Sequence, residues 1–76
     1  MQKDFTLVIN SYEDNKHLLK LGKRYFEVFE FRYGLTDDKM HTLVETGRYF
    51  GISPARVEQL ISRVAYQCER VASTHS

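Results

Sequence analysis

A chain of 76 residues with 42% apolar, 13% aromatic and 28% charged side chains has the composition of one folded domain rather than of a disordered tail, and at this size only about 60% of the unfolded surface is buried, which argues against an elaborate catalytic cleft. Eleven Lys and Arg against ten Asp and Glu give a net +1, without the basic excess of a domain that grips nucleic acid unaided. No apolar run nears the roughly 20 residues of a membrane span and no basic-then-apolar leader opens the chain, so a cytoplasmic protein without membrane contact is expected.

In chain order, the first segment is "DFTLVIN", apolar at Phe5, Leu7 and Ile9 with Thr6 between, until Val8 breaks the alternation. Seven residues do not fix a type. Residues 1 to 10 are read as an N-terminal arm with three forms open: a short strand that pairs with another copy, an extended arm, or an extra turn of helix. Ser11, with Asp14 three residues on, reads as an acidic capping box opening a helix that runs to Tyr33. Leu18, Leu21, Tyr25, Val28, Phe29 and Tyr33 form its apolar stripe. Gly22, about 1 kcal/mol worse than Ala in a helix interior, is the place where the stretch divides if it divides. Leu19, Phe26 and Phe31 widen the stripe beyond one face, so Phe26, Phe29 and Phe31 serve either the core or a partner-binding surface. "YGLTDD" ends the helix, with Gly34 suited to a left-handed cap.

The last forty residues carry the densest signals. Thr42 and Glu45 form a T-x-x-E capping box opening a short helix with Leu43 and Phe50 inward, and Gly47 sits where two helices cross closely. Gly51 suits a positive φ, Ile52 plugs the core, Ser53 caps and Pro54 fits the first helical position. Residues 42 to 50 and 53 to 71 are thus two helices joined by a tight turn, the helix-turn-helix layout. Val57, Leu60, Ile61, Val64, Cys68 and Val71 share one side of the second helix, and this places Cys68, which has no partner for an internal disulfide, in the core. Arg56, Arg63 and Arg70 recur every seven residues with Gln59 and Gln67 between them, either a stripe that tracks phosphates or an ordinary solvated flank. The expected fold is all-α, with residues 11 to 76 forming a single small helical domain that ends in a helix-turn-helix. His17, His41 and His75 show no ligand spacing with one another or with Cys68, and no Ser-His-Asp set, phosphate loop or paired carboxylates occur, so no catalytic residue, metal or cofactor is expected.

The stretch "FRYGLTDDKMHTLVETGRYFGISPARVEQL" resembles region 4 of the sigma-70 family of bacterial RNA polymerase initiation factors. The shared pattern is R-[FY]-G-[LI] at Arg32 to Leu35, T-L-x-E-x-G at Thr42 to Gly47, and the turn and recognition helix from Phe50 through Ser53, Arg56, Val57, Gln59 and Leu60. The resemblance spans roughly residues 24 to 70. It implies a compact helical domain whose last helix enters the major groove at the −35 promoter element, while the earlier helices cradle the flap tip of the polymerase β subunit. Carried onto this chain, it gives Ser53, Ala55, Arg56, Glu58, Gln59, Ser62 and Arg63 as the DNA-facing set. Pro54 and Ala55 stand where the family commonly has base-reading Arg and Glu, Glu58 stands for an Arg, and Tyr66, Gln67 and Glu69 replace basic positions. Gln59 keeps the ability to read a base, and Arg56, Ser62 and Arg63 the ability to hold phosphates. The chain lacks the other sigma regions, so a complete sigma factor is not expected. Two functions stay open: a small transcription regulator of phage or mobile-element type that binds DNA weakly as a monomer, helped by RNA polymerase or a second copy; or a protein-interaction module that binds polymerase or another transcription factor without sequence-specific DNA contacts.

Overall fold

Val8 and Tyr12 are four residues apart and share one side of a helix, and the chain is helical from Thr6–Asn15 (α1), with Tyr12 buried. The computed structural model describes residues 6–75. Among the three forms open for the first segment, helix holds from Thr6 onward; residues 1–5 lie outside the described residues. Ser11 is therefore not an N-cap. It lies inside α1, where its carbonyl accepts from the Asn15 side chain at 2.8 Å.

The single helix expected from Ser11 to Tyr33 is also interrupted. A 3-10 turn, Lys16–Leu18, follows α1, and Leu19 is extended at φ −83° and ψ 136°. This changes the phase of the stripe: Leu19 enters the core and Leu18 faces solvent, the reverse of the uninterrupted pattern. Gly22, extended at φ −63° and ψ 155°, then starts α2, Lys23–Arg32. So the glycine does mark the division, at the second helix's first turn. α2 ends in a Schellman closure: Leu35 N–H donates to the Glu30 carbonyl at 2.8 Å and Gly34 N–H to that of Phe31 at 3.3 Å. Gly34 is left-handed at φ 75°, and a Cβ there would lie 3.0 Å from the Lys39 and Met40 backbone.

The connection to α3, Leu43–Phe50, is held from both directions, because His41 N–H donates to the Arg32 carbonyl while the Arg32 guanidinium donates to that of His41. The capping box forms in full: Glu45 N–H donates to Thr42 Oγ1 at 3.0 Å and Thr42 N–H to Glu45 Oε1 at 2.8 Å. That second bond holds the Glu45 carboxyl below its usual range. Ser53 Oγ then accepts from Arg56 N–H at 3.1 Å, and α4 runs as Pro54–His75, beyond the expected end at residue 71.

α4 is the common support: α1, α2 and α3 each pack against it, and α2 also meets α3. Its inward side supplies Val57, Leu60, Ile61, Val64 and Cys68, all buried as expected, against Tyr12, Leu19, Val28 and Phe29. Burial pushes the Cys68 thiol pKa up, which suits an inert packing residue. Gly51 sits at φ 72° in open space, so only backbone strain opposes a side chain there. Gly51→Val is expected to cost about 1–2 kcal/mol, read as a lowered thermal midpoint; an unchanged midpoint would mean that the turn tolerates another conformation.

Candidate nucleic-acid interface

Three contacts fix where α4 begins relative to α3. Gly47 is buried against the turn so closely that a Cβ would sit 2.5 Å from the Ile52 carbonyl oxygen. Ile52 N–H donates back to the Gly47 carbonyl at 2.9 Å. Arg24, from α2, donates to the Phe50 carbonyl at 2.6 Å, with its guanidinium 5.3 Å from that ring's centroid. The start of α4 is thus held by backbone contacts, by its cap and by one long side chain, that of Arg24.

Every residue of the expected DNA-facing set is exposed: Ser53, Ala55, Arg56, Glu58, Gln59, Ser62 and Arg63. At 3.6 residues per turn, Ala55, Gln59 and Ser62 form the strip opposite the buried side. Arg56, Arg63 and Arg70 run along one flank of that strip, and Glu58 and Glu69 along the other. Tyr66 continues the central strip and is 53% exposed, its ring 5.9 Å from the Arg70 guanidinium. It is absent from the expected set, although its spacing of seven from Gln59 marks the same face. The helix therefore presents a neutral strip between a cationic and an anionic edge.

Within the strip, Arg56 Nη1 donates to Gln59 Oε1 at 3.1 Å. This occupies one of the two lone pairs of the amide oxygen and neither of the Gln59 NH2 donors. Donors of that kind match acceptors in the major groove, namely purine N7, guanine O6 and thymine O4.

The phenylalanines expected at a partner surface occupy different layers. Phe29 has 0% exposure and is a core residue, its ring stacked on Tyr12 at 4.4 Å. Phe26 is half-buried at the core edge, 6.2 Å from the Tyr12 ring. Phe31 is buried between His41 and Tyr49, with ring centroids at 3.9 and 4.4 Å. They therefore form no continuous exposed patch, because α2 is covered by α4 along its inward face and by α3 and the His41 loop at its end. Asp37, exposed beside this stack, bonds His41 Nε2 at 3.1 Å, a contact that keeps its carboxyl below the usual range. Among the described residues no group of three or more His, Cys, Asp or Glu is arranged to hold a metal ion, and no helix is long and apolar enough to cross a membrane.

No protein-family model matches the chain, and no solved structure matches it. Among curated proteins, it is 41% identical over 56 residues to the RNA polymerase sigma factor SigA4 of Synechococcus elongatus, a match covering 74% of this chain and 18% of that protein. It is 42% identical over 48 residues to the RNA polymerase sigma factor sigB of Arabidopsis thaliana, covering 63% of this chain and 8% of that protein. The chain thus spans less than a fifth of the length of these relatives.

Proposed function

We infer, from the premise that this chain is a sigma-70 region 4-like domain, that it acts in transcription by laying the first half of α4 in the major groove, with RNA polymerase supplying part of the binding energy. The observation that carries this reading is the exposed strip of Ala55, Gln59 and Ser62, set behind a capped turn and edged by Arg56 and Arg63. Gln59 reads base edges through its free NH2, while Arg56 and Arg63 hold phosphates on one strand. Each such cation releases a counterion and contributes to the salt dependence of binding.

The opposite edge limits the affinity. Glu58 faces the second strand's phosphates and opposes them, and the chain's +1 charge adds little long-range attraction. The isolated domain is therefore expected to bind DNA only at micromolar concentrations or weaker at physiological salt. Tethering beside polymerase converts that weak contact into an intramolecular one of high effective concentration. The same carboxylate edge, with Pro54 and Ala55 at positions unable to make base contacts, favours the second reading, in which the domain docks on polymerase or another transcription factor and reads no sequence.

Fluorescence anisotropy with duplex DNA over a salt series separates the two. Glu58→Arg is expected to tighten binding about tenfold and to steepen the salt slope by about one unit, since a repulsive carboxylate is replaced by a guanidinium that neutralises a phosphate. Arg63→Ala is expected to weaken all sequences alike and lower the slope by about one unit, and Gln59→Ala to change sequence preference. An affinity indifferent to all three substitutions supports the protein-docking reading instead.

A further inference from the structure

The face of the molecule formed by α2 and α3 holds a second feature, separate from the α4 strip. Glu27, Glu30, Phe31, Thr36, Tyr49 and Phe50 line a cleft of about 310 Å³ between the two helices. None of these residues belongs to α4. Its walls are aromatic: Phe31 and Tyr49 stack at 4.4 Å, and Phe50 meets Phe31 edge-on at 5.5 Å and Tyr49 at 4.9 Å. Tyr49 is 69% exposed, an unusual position for a tyrosine whose ring is already part of a stack.

Glu30 is the key residue. It is half-buried, and its carboxylate accepts a hydrogen bond from the buried Tyr12 hydroxyl. This bond is one reason, after burial itself, that the Tyr12 hydroxyl pKa is pushed upward. Yet among the described residues no Lys, Arg or His nitrogen pairs with the Glu30 carboxylate. Glu27, at the same cleft, has only the solvent-exposed Lys23 ammonium at 4.0 Å, an interaction of little worth in water. A partly desolvated carboxylate without a counter-ion, opening onto stacked aromatic rings, is complementary to a cation with an extended or planar apolar body. Arg24 already seats one guanidinium against Phe50 from the helix side, so the rings accept this chemistry.

We propose that the α2–α3 cleft is a docking site for an arginine side chain of a partner protein, its guanidinium paired with Glu30 and lying against Tyr49. Charge complementarity selects this occupant over an apolar one, since an aliphatic side chain would cover Glu30 without neutralising it. Arginine is favoured over lysine because its flat, weakly hydrated head both stacks on Tyr49 and donates two bonds to a carboxylate. The proposal is independent of DNA binding by α4.

The test is NMR titration of the whole chain with the capped tripeptide acetyl-Gly-Arg-Gly-amide, against the same peptide with neutral citrulline in place of arginine. The arginine peptide is expected to shift Glu30, Phe31 and Tyr49 resonances and to saturate at millimolar concentrations, while the citrulline peptide produces no saturable shift. Glu30→Gln keeps an acceptor for Tyr12 and hence the fold; it is expected to weaken the arginine peptide about threefold or more. Tyr49→Ala is expected to abolish saturation. Equal shifts from both peptides, an unchanged affinity in Glu30→Gln with a native spectrum, or shifts centred instead on Asp37 and Glu45 would each overturn the proposal.

Discussion

Phe29→Ala is expected to cost about 3–5 kcal/mol and to leave little folded protein at 37 °C. The ring has no exposed surface and stands at the centre of an aromatic run, 4.4 Å from Tyr12 and 4.7 Å from Tyr33. Removing it deletes a large apolar surface and opens a cavity that three helices bound from different directions and cannot close together. Small domains have roughly 5 kcal/mol in total to lose, so this one substitution consumes most of it. Urea denaturation followed by circular dichroism measures the loss, with Phe29→Leu expected to recover more than half. A cost below about 1 kcal/mol, with native near-ultraviolet signal, would return Phe29 to the surface candidates.

Gly47→Ala is expected to destabilise by about 2 kcal/mol, even though alanine is the better helix former by about 1 kcal/mol at an unstrained position. The new methyl would sit 2.5 Å from the Ile52 carbonyl oxygen, with the Ser53 and Pro54 backbone at 3.4 Å. No side-chain rotation relieves this, because the obstructing atoms are backbone. The turn has to move, and α4 moves with it. At about 4–8 °C per kcal/mol for a domain of this size, the thermal midpoint should fall by roughly 10 °C. The amide resonances of Ser53 to Gln59 should shift together. A stabilised Gly47→Ala protein would show that helix propensity prevails and that the two segments have room to part.

The contrast between the two ends of the chain explains what could be read from sequence. The caps at Thr42, Gly34 and Ser53 are local devices: donor and acceptor lie within five residues, so the residue types announce the geometry. The buried side of α4 is equally plain, since one regular helix keeps a single phase over twenty positions and exposes the rest, including the whole expected DNA-facing set. Ser11 and Asp14 show how the same rule misleads. The pair satisfies the capping pattern, but α1 had begun five residues earlier, drawn by the Tyr12 side chain into a core supplied by distant residues. Leu18 and Leu19 exchanged places for a similar reason, because a 3-10 turn and an extended residue cannot be foreseen from a helical stripe drawn straight through them. The Glu30 cleft was beyond reach altogether: it depends on α2 and α3 meeting, and on the absence, among the described residues, of a cation that nothing in the local sequence forbids.

The packing of α1 on α4 also sets an order of events. Tyr12, from the first helix, is buried in one cluster with Cys68, from the last, and fifty-six positions separate them. At 5–20 residues per second, a ribosome makes Tyr12 on the order of three to ten seconds before Cys68 exists. For most of that interval the apolar face of α1 has only the Phe26 and Phe29 rings of α2 to close on, without the side of α4 that completes its burial. The helices that can pair early, α2 and α3, lack the shared support that α4 provides, so assembly waits for the segment made after them. Nascent chains stalled before residue 60 should consequently be protease-sensitive along their whole length, and the domain should acquire protection in one step as the last turns of α4 clear the exit tunnel.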